Sequence, residues 1–288
     1  MTLGRSARHR MCILKDSQYA EEFERSCWDH AVLNFYEALA PHYHLIFEDW
    51  DKTIERQARI LGPLLAAQLP YKPLRILDCA CGIGTQAIGF AKSGHQVIAS
   101  DLSEAEVTRA RHEARIRGLD IPFFVSDMTS LAEIVESDFD VVAVLDNALP
   151  HLSCKQVSRA IRTMRSKLKL NGQLIASIRD YDALLAQRPA VQQPVFYGHI
   201  GDRRIIHQVW DWIDATRYIV HLYITVESKG EWITNHFASE YRCILRRELS
   251  IELESAGFAE VQWLMPDESG YYQPLVLAKL SIASIDSN

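Results

Sequence analysis

The chain has 288 residues, 48% of them hydrophobic and 24% charged, an ordinary globular composition that allows one large domain with an insertion or two small ones. Its 31 basic and 37 acidic residues leave a formal charge of −6, so there is no electrostatic footprint for nucleic acid. No 18-residue apolar run and no signal-peptide core is present, which excludes a membrane partner and reads as cytoplasmic.

The first 18 residues or so carry no periodicity and read as mobile; Met11 is a second candidate start, and Arg5, Arg8 and Arg10 read as a solvated terminal patch. From Glu21 to Leu69 the pattern is helical, with Leu33, Tyr36, Leu39 and Ala40 on one face and Ile54, Ala58, Leu61 and Leu65 on another. Pro70 and Pro73 close this helical cap. Residues 1–70 are therefore expected to form an N-terminal arm and cap.

Strands and helices then alternate. Leu74–Cys79 reads as a strand running into the glycine turn Gly82-Ile83-Gly84, with a helix from Thr85 to Ser93. Glycines there let the backbone approach a ligand and leave amide donors free. Gln96–Ser100 is a second strand ending at Asp101, and Ser103 caps the next helix with Glu106 completing a capping box. Ile121–Val125 is a third strand, ending near Asp127-Met128, and Phe139–Leu145 a fourth, ending at Asp146-Asn147. After a helix over Ser153–Leu168, Asn171-Gly172 turns into a fifth strand, Gln173–Ile178. This alternation predicts a doubly wound parallel α/β sheet with ligands at the strands' carboxyl ends.

Past Tyr181 the period shortens to two. Ile205–Ile213, Arg217–Glu227 and Trp232–Leu245 read as an antiparallel meander inserted over 183–245, between core segments 71–182 and 246–288. A helix over Arg247–Ser255, stopped by Gly257, and strands near Val261–Met265 and Pro274–Leu280 complete the sheet. The six cysteines (12, 27, 79, 81, 154 and 243) have no metal-ligand spacing, and His207, His221 and His236 share none either, so no metal site is expected.

Gly82-x-Gly84-x-x-Ala87 fits a dinucleotide fingerprint as well as a nucleoside cofactor without a diphosphate. Asp101 can bond ribose hydroxyls in either case. Asp127-Met128 is more telling, because a carboxylate there accepts an adenine amino group while methionine covers the ring. Asp78 before the turn would repel a pyrophosphate but attract an ammonium group.

On Leu77-Asp78-Cys79-Ala80-Cys81-Gly82-Ile83-Gly84, Asp146-Asn147-Ala148-Leu149-Pro150-His151-Leu152, Ser177-Ile178-Arg179-Asp180-Tyr181-Asp182 and Tyr43-His44-Leu45-Ile46-Phe47-Glu48-Asp49-Trp50, the chain resembles class I S-adenosylmethionine-dependent methyltransferases. Within them it resembles the glycine and sarcosine N-methyltransferase group, over roughly residues 35–280. The resemblance implies a seven-stranded Rossmann-like sheet under an antiparallel lid, with S-adenosyl-L-methionine as cofactor. Ala80, Gly82, Asp101, Asp127, Met128, Leu145 and His151 would line the cofactor site, with Tyr36, Tyr43, Trp50 and Arg56 closing over it and Arg56 pairing with the methionine carboxylate. Asn147, Arg179 and the lid's Tyr223 would face a small amine substrate, and a homo-oligomer is implied. Ile83 and Gln86 depart from the family pattern, which leaves open a small amino acid or similar carboxylate-bearing amine, a hydroxyl, thiol or larger natural-product acceptor, and a non-catalytic cofactor sensor.

From the residues themselves, Arg179 is either a two-bond clamp for a carboxylate or a salt bridge to Asp180 or Asp182. Asn147 either orients an amino group through its side-chain oxygen or forms a turn. His151, behind Pro150, suits positioning or cofactor contact better than proton abstraction. Trp210, Trp212 and Trp232 read as packing rather than as a cage for a quaternary amine.

Overall fold

The structure, a computed structural model, describes residues 30–69 and 73–280. The N-terminal stretch that the sequence reads as mobile, with the Arg5, Arg8 and Arg10 patch, Met11, Cys12 and Cys27, lies outside the described residues.

Two sheets organise the chain. The first joins β1 (Arg75–Asp78), β2 (Gln96–Asp101), β3 (Phe123–Val125), β4 (Phe139–Val144), β5 (Leu168–Ser177), β10 (Ala259–Leu264) and β11 (Leu275–Lys279) in the order β10-β11-β5-β4-β1-β2-β3. β1 to β5 are parallel, and β11 and β10 add antiparallel pairs at one side. This is the expected seven-stranded Rossmann-like sheet. Strand order reverses between β1 and β4, and a ligand crevice opens at such a switch point.

Helices cover both faces. α1 (30–39 of the described chain) and α2 (Trp50–Gln68) precede the sheet; α3 (Thr85–Lys92), α4 (Glu104–Ile116) and α5 (Cys154–Lys167) connect its strands. α2 buries Ile54, Leu61 and Leu65 on one stripe. It packs against α3 so closely that a side chain at Gly89 would meet Ala58 Cβ at 3.1 Å and the Ile54 carbonyl at 3.2 Å. One apolar cluster on each face of the sheet, including Leu77, Val142 and Ala176 on one and Ile76, Val141 and Ile175 on the other, forms the core. Each of the Val, Leu and Ile side chains among them contributes about 1.5–3 kcal/mol on burial.

Three expectations are corrected here. Asn171-Gly172 does not start a strand. β5 already runs from Leu168, and Asn171 (φ +62°) lies inside it at a bulge, where the register against β4 jumps from Phe139–Leu168 to Val141–Gln173. The capping box of α4 is only half formed: Ser103 Oγ accepts the Glu106 amide, but the Ser103 amide bonds Asp101 instead of the Glu106 carboxylate. The full box sits on α5, between Ser153 and Gln156.

The third correction concerns the meander, which has four strands, preceded by the short helix α6 (Tyr181–Gln187): β6 (Val191–Tyr197), β7 (Arg204–Trp212), β8 (Arg217–Ser228) and β9 (Glu231–Arg242). β6 is exposed along its length and carries Pro194, as an edge strand tolerates, so it lacks the alternation that marked its neighbours. On β8, Tyr218, Val220, Leu222 and Ile224 are buried and the residues between them are not. That inward face packs on Phe35 and Leu39 of α1, joined by Ile206 and Phe237. After β9 the chain enters α7 (Arg246–Ser255) and returns to the first sheet.

Candidate active site

β1 ends on Asp78, and the chain turns through Gly82 (φ +52°) and Gly84 (φ +95°), which caps α3 in the left-handed region that glycine adopts without penalty. The Gly82 amide donates to Asp101 Oδ2 at 2.9 Å, tying the turn to the end of β2. A side chain at Gly82 would meet Glu106 Oε2 at 3.2 Å and Tyr43 at 3.5 Å, so the turn must stay bare.

Above this turn lies a cleft of about 770 Å³. Ala80, Gly82, Asp101, Asp127, Met128, Leu145 and His151 all line it, with Tyr36 and Tyr43 from the N-terminal cap. Trp50 does not: it is buried in the core, donates from Nε1 to Thr85 Oγ1 at 2.9 Å and lies under the Arg117 guanidinium. As the first residue of α2 its ring turns toward α3 rather than the cleft. Arg56 is exposed and lines a second cavity beyond the cleft, not the cleft itself.

That second cavity, an open chamber of about 2150 Å³, runs between the cap, the ends of β4 and β5 and the inward face of the antiparallel sheet. Arg179 and Asn147 both line it. The Arg179 guanidinium lies 4.9 Å over the Trp210 ring and 5.1 Å over the Tyr241 ring, and Nη1 donates to Tyr218 at 2.9 Å. Burial works against its charge, but the hydroxyls of Tyr218, Tyr181 and Tyr241 outweigh it and push its pKa up. It pairs with no carboxylate among the described residues. Asp180 and Asp182, its alternative partners, pair with Arg246 instead, Asp180 at 2.5 Å and Asp182 at 3.4 Å. The face of Trp210 is thus taken by the protein's own cation. Trp232 is 42% exposed and stands apart from this wall.

Asn147 differs from expectation in detail. Its Oδ1 accepts the Arg179 amide at 2.9 Å and the Tyr181 hydroxyl at 3.0 Å, so the oxygen is already engaged. A backbone N–H can only donate, which fixes the amide orientation and leaves the buried Nδ2 without a partner. Tyr223 is not on the chamber wall. It points to the other face of β8 from Leu222 and stacks between His207 at 4.8 Å and His236 at 4.6 Å. One residue along a strand reverses the side chain's face.

Several site residues escaped the sequence reading. Tyr218 and Tyr241 supply the hydroxyls around Arg179. Glu106, freed from the capping box, turns into the cleft with Oε1 buried and unpartnered. Burial first, then Asp101 and Glu37, push its pKa well up, favouring the acid form. Asp146 was visible as a strand end, but not the polar clamp around it described below. His151 bonds the Tyr36 hydroxyl through Nε2 at 2.8 Å. Burial, assisted by the Arg179 charge, lowers its pKa to about 3, so the imidazole is neutral and a weak base.

Residues 76–172 match the family model described as a methyltransferase domain. That stretch is thus similar to a methyltransferase domain. Around it, the glycine/sarcosine N-methyltransferase of Parasynechococcus marenigrum (strain WH8102) is 32% identical over 148 residues, 50% of this chain and 52% of that protein. The chain thus spans about half the length of the curated relatives it matches. The sugar N-methyltransferase KedS8 from Streptoalloteichus sp. ATCC 53650 superposes with a TM-score of 0.68 at 16% identity, covering 83% of this chain and 92% of that one. CalS10, an amino pentose methyltransferase from Micromonospora echinaspora solved with S-adenosylmethionine bound, gives 0.64 at 19%, covering 79% and 92%. These two likenesses carry the fold.

The residues in and beside the cleft fit S-adenosylmethionine. Asp78 is 1% exposed and neither of its oxygens is fully hydrogen-bonded, the nearby Ala80 amide being its one weak contact among the described residues. Burial pushes its pKa up to about 8, against the pull of the Ala80 amide. A buried acid whose oxygens are so little engaged suits an incoming ammonium group, and the amino-acid end of the cofactor carries one. Asp78 stands next to Cys79 and Ala80 of the cleft lining, and Asp101, Asp127 and Asp146 line that cleft, a surrounding that repels a diphosphate and attracts a sulfonium. Among the described residues no group of three acidic, histidine or cysteine side chains is placed to hold a metal, and no helix is long and apolar enough to cross a membrane.

Proposed function

We propose that the protein is an S-adenosylmethionine-dependent N-methyltransferase acting on a small amine that carries a carboxylate. The observation that carries this reading is Arg179, a charged guanidinium on the chamber wall with Nη1 engaged, Nε and Nη2 free of hydrogen bonds, and no carboxylate of its own among the described residues. A planar guanidinium with two unused donors is built for bidentate recognition of an acid. The unpartnered Asn147 Nδ2 adds a donor beside it.

Bound, the cofactor supplies a methyl group already activated by its sulfonium charge. The chain's own work is then alignment and exclusion of water, and alignment can lower a barrier by ~7–11 kcal/mol. Tyr36 and Tyr43 close the cleft from the cap. The Tyr36–His151 bond holds the imidazole in place rather than freeing it as a base. The antiparallel sheet serves as the substrate lid. The chamber has more room than glycine needs, which favours a bulkier acceptor, such as an aromatic amino acid or an amino sugar acid.

The test is release of S-adenosylhomocysteine over a panel of glycine, sarcosine, larger amino acids, amino sugars, phenols and thiols. A carboxylate-bearing amine should lead. On the best acceptor, Arg179→Ala should lower kcat/KM by about 100-fold or more, while S-adenosylhomocysteine affinity by calorimetry changes less than about threefold. Full efficiency in Arg179→Ala would sink the clamp. A phenol or thiol at the head of the panel would replace the acceptor class.

A further inference from the structure

Methyl transfer requires donor and acceptor to meet where the cofactor cleft opens into the chamber. Three residues line both cavities, namely Tyr36, Tyr43 and Asp146. Asp146 is the formally charged one. It sits just past β4 with φ +55°, followed by Asn147 at φ +67°, two left-handed non-glycine residues in succession. Such backbone costs about 1–3 kcal/mol per residue and persists only where the surroundings enforce it.

The surroundings do enforce it. Asp146 Oδ1 accepts from Tyr271 at 2.5 Å and from Tyr272 at 2.6 Å, and Oδ2 accepts from Gln86 Nε2 at 2.6 Å. The Asp146 amide is held by Ser177 Oγ at 2.8 Å. Gln86 is braced in turn by Gln57 of α2 at 2.7 Å. Groups from α3 and the segment before β11 therefore converge on one carboxylate, while the end of β5 holds the backbone amide of the same residue. All three side-chain contacts donate to it. A carboxylate offers about four acceptor positions, and these three contacts use three. The fourth, on Oδ2, is left for a ligand.

Building on the proposed function, we infer that Asp146 is the anionic contact at the transfer point, receiving the positive charge that the donor methyl centre and the acceptor amine share there. Arg179 and Asp146 then make the chamber a two-ended site, a cation for the substrate's acid and an anion for its amine. This assigns the acceptor as a zwitterion-like molecule rather than a neutral alcohol.

The test uses two ligands that differ at the transfer point alone: S-adenosylhomocysteine, and sinefungin, which carries a primary amine where the donor methyl would be. Calorimetry gives the ratio of their dissociation constants. In the unmodified protein sinefungin should bind about tenfold tighter, as for one charge-assisted hydrogen bond. In Asp146→Asn that preference should fall to about unity. Asn adopts left-handed backbone readily, so this variant keeps the turn. Tyr272→Phe, on a half-exposed residue, removes one donor and should keep most of the preference. A preference unchanged in Asp146→Asn, or absent in the unmodified protein, overturns the assignment. Failure of both ligands to bind the unmodified protein overturns instead the cofactor reading on which it rests.

Discussion

The cleft and the chamber adjoin, yet they are built on opposite plans. The cleft is walled by the ends of parallel strands and the turns behind them, and four acidic residues line it. The chamber is walled by the inward face of an antiparallel sheet and by aromatic rings, with Arg179 buried among them. On the proposed function, a site for a cation is set against a site for an anion, with Asp146 at the junction. The difference separates what can be broken independently: changes in one wall should alter donor affinity, changes in the other acceptor affinity.

Asp78 offers the largest effect on the donor side. With its pKa near 8 when nothing pairs with it, Asp78 is mostly protonated at pH 7. An ammonium group docking against it favours the ionised form, so binding should release up to one proton below pH 8. Affinity for S-adenosylhomocysteine should climb with pH from about 4 to 8 and level off above. Calorimetry in buffers of different ionisation heat reads the proton directly. Asp78→Asn should abolish the release and weaken binding on the order of a hundredfold, because the ammonium is left buried and unpaired. The sign for stability follows from the same shift. A folded-state pKa raised above the unfolded value near 3.8 means the contribution of Asp78 is fully present below that value and is lost as pH rises through about 8. Saturating ligand should cancel that loss. A pH-independent affinity would contradict the pairing.

Glu106 should give a smaller effect on the same wall. Its acid form can donate to a ribose oxygen from the unpartnered Oε1 side of the carboxyl, next to Asp101, whose two oxygens accept the Gly82 and Ser103 amides. Removing one such hydrogen bond is worth about 1 kcal/mol, so Glu106→Ala should weaken S-adenosylhomocysteine binding about fivefold. Glu106→Gln keeps a donor and should stay within about twofold. Equal losses in both variants would mean that the side chain only packs.

The cleft was the legible half of the molecule. Asp78, Asp101 and Asp127 stand at strand ends, and a strand end in a parallel sheet fixes which rim a residue reaches. Strand ends alone pointed to Asp101, Asp127 and Met128, the family resemblance supplied Ala80, Gly82, Leu145 and His151, and all seven meet in one cleft. The chamber resisted because its residues depend on register and long-range packing. Arg179 was legible through its place after β5, but its stacking between Trp210 and Tyr241 joins positions 31 and 62 residues further along the chain. Trp50 and Arg56 were misplaced because they share one helix, and the direction in which that helix faces the sheet is set by close packing at Gly89. Glu106 was misread for a local reason. Its spacing from Ser103 matched a capping box, while Asp101 took the amide that would have held it there.

Tyr223 puts the sheet's register to its finest test. Along β8 the buried positions are even-numbered, from Tyr218 to Ile224, so an odd-numbered tyrosine belongs to the far face. It pairs across to His207 on β7 and His236 on β9, the same residues its ring stacks against, which confines it to a ladder on the outside of the sheet. Tyr223→Ala should leave kcat/KM within about twofold, as for substitutions away from a core or a site. Leu222→Ala, the neighbouring control, opens a hole against Phe35 and Ile206 and should cost about 2–5 kcal/mol of stability. If Tyr223→Ala instead raised KM tenfold with melting unchanged, the strand would have to slide by one residue during turnover. That slip would expose Leu222 and Ile224 while burying His221 and Thr225, an exchange that the packing of α1 opposes.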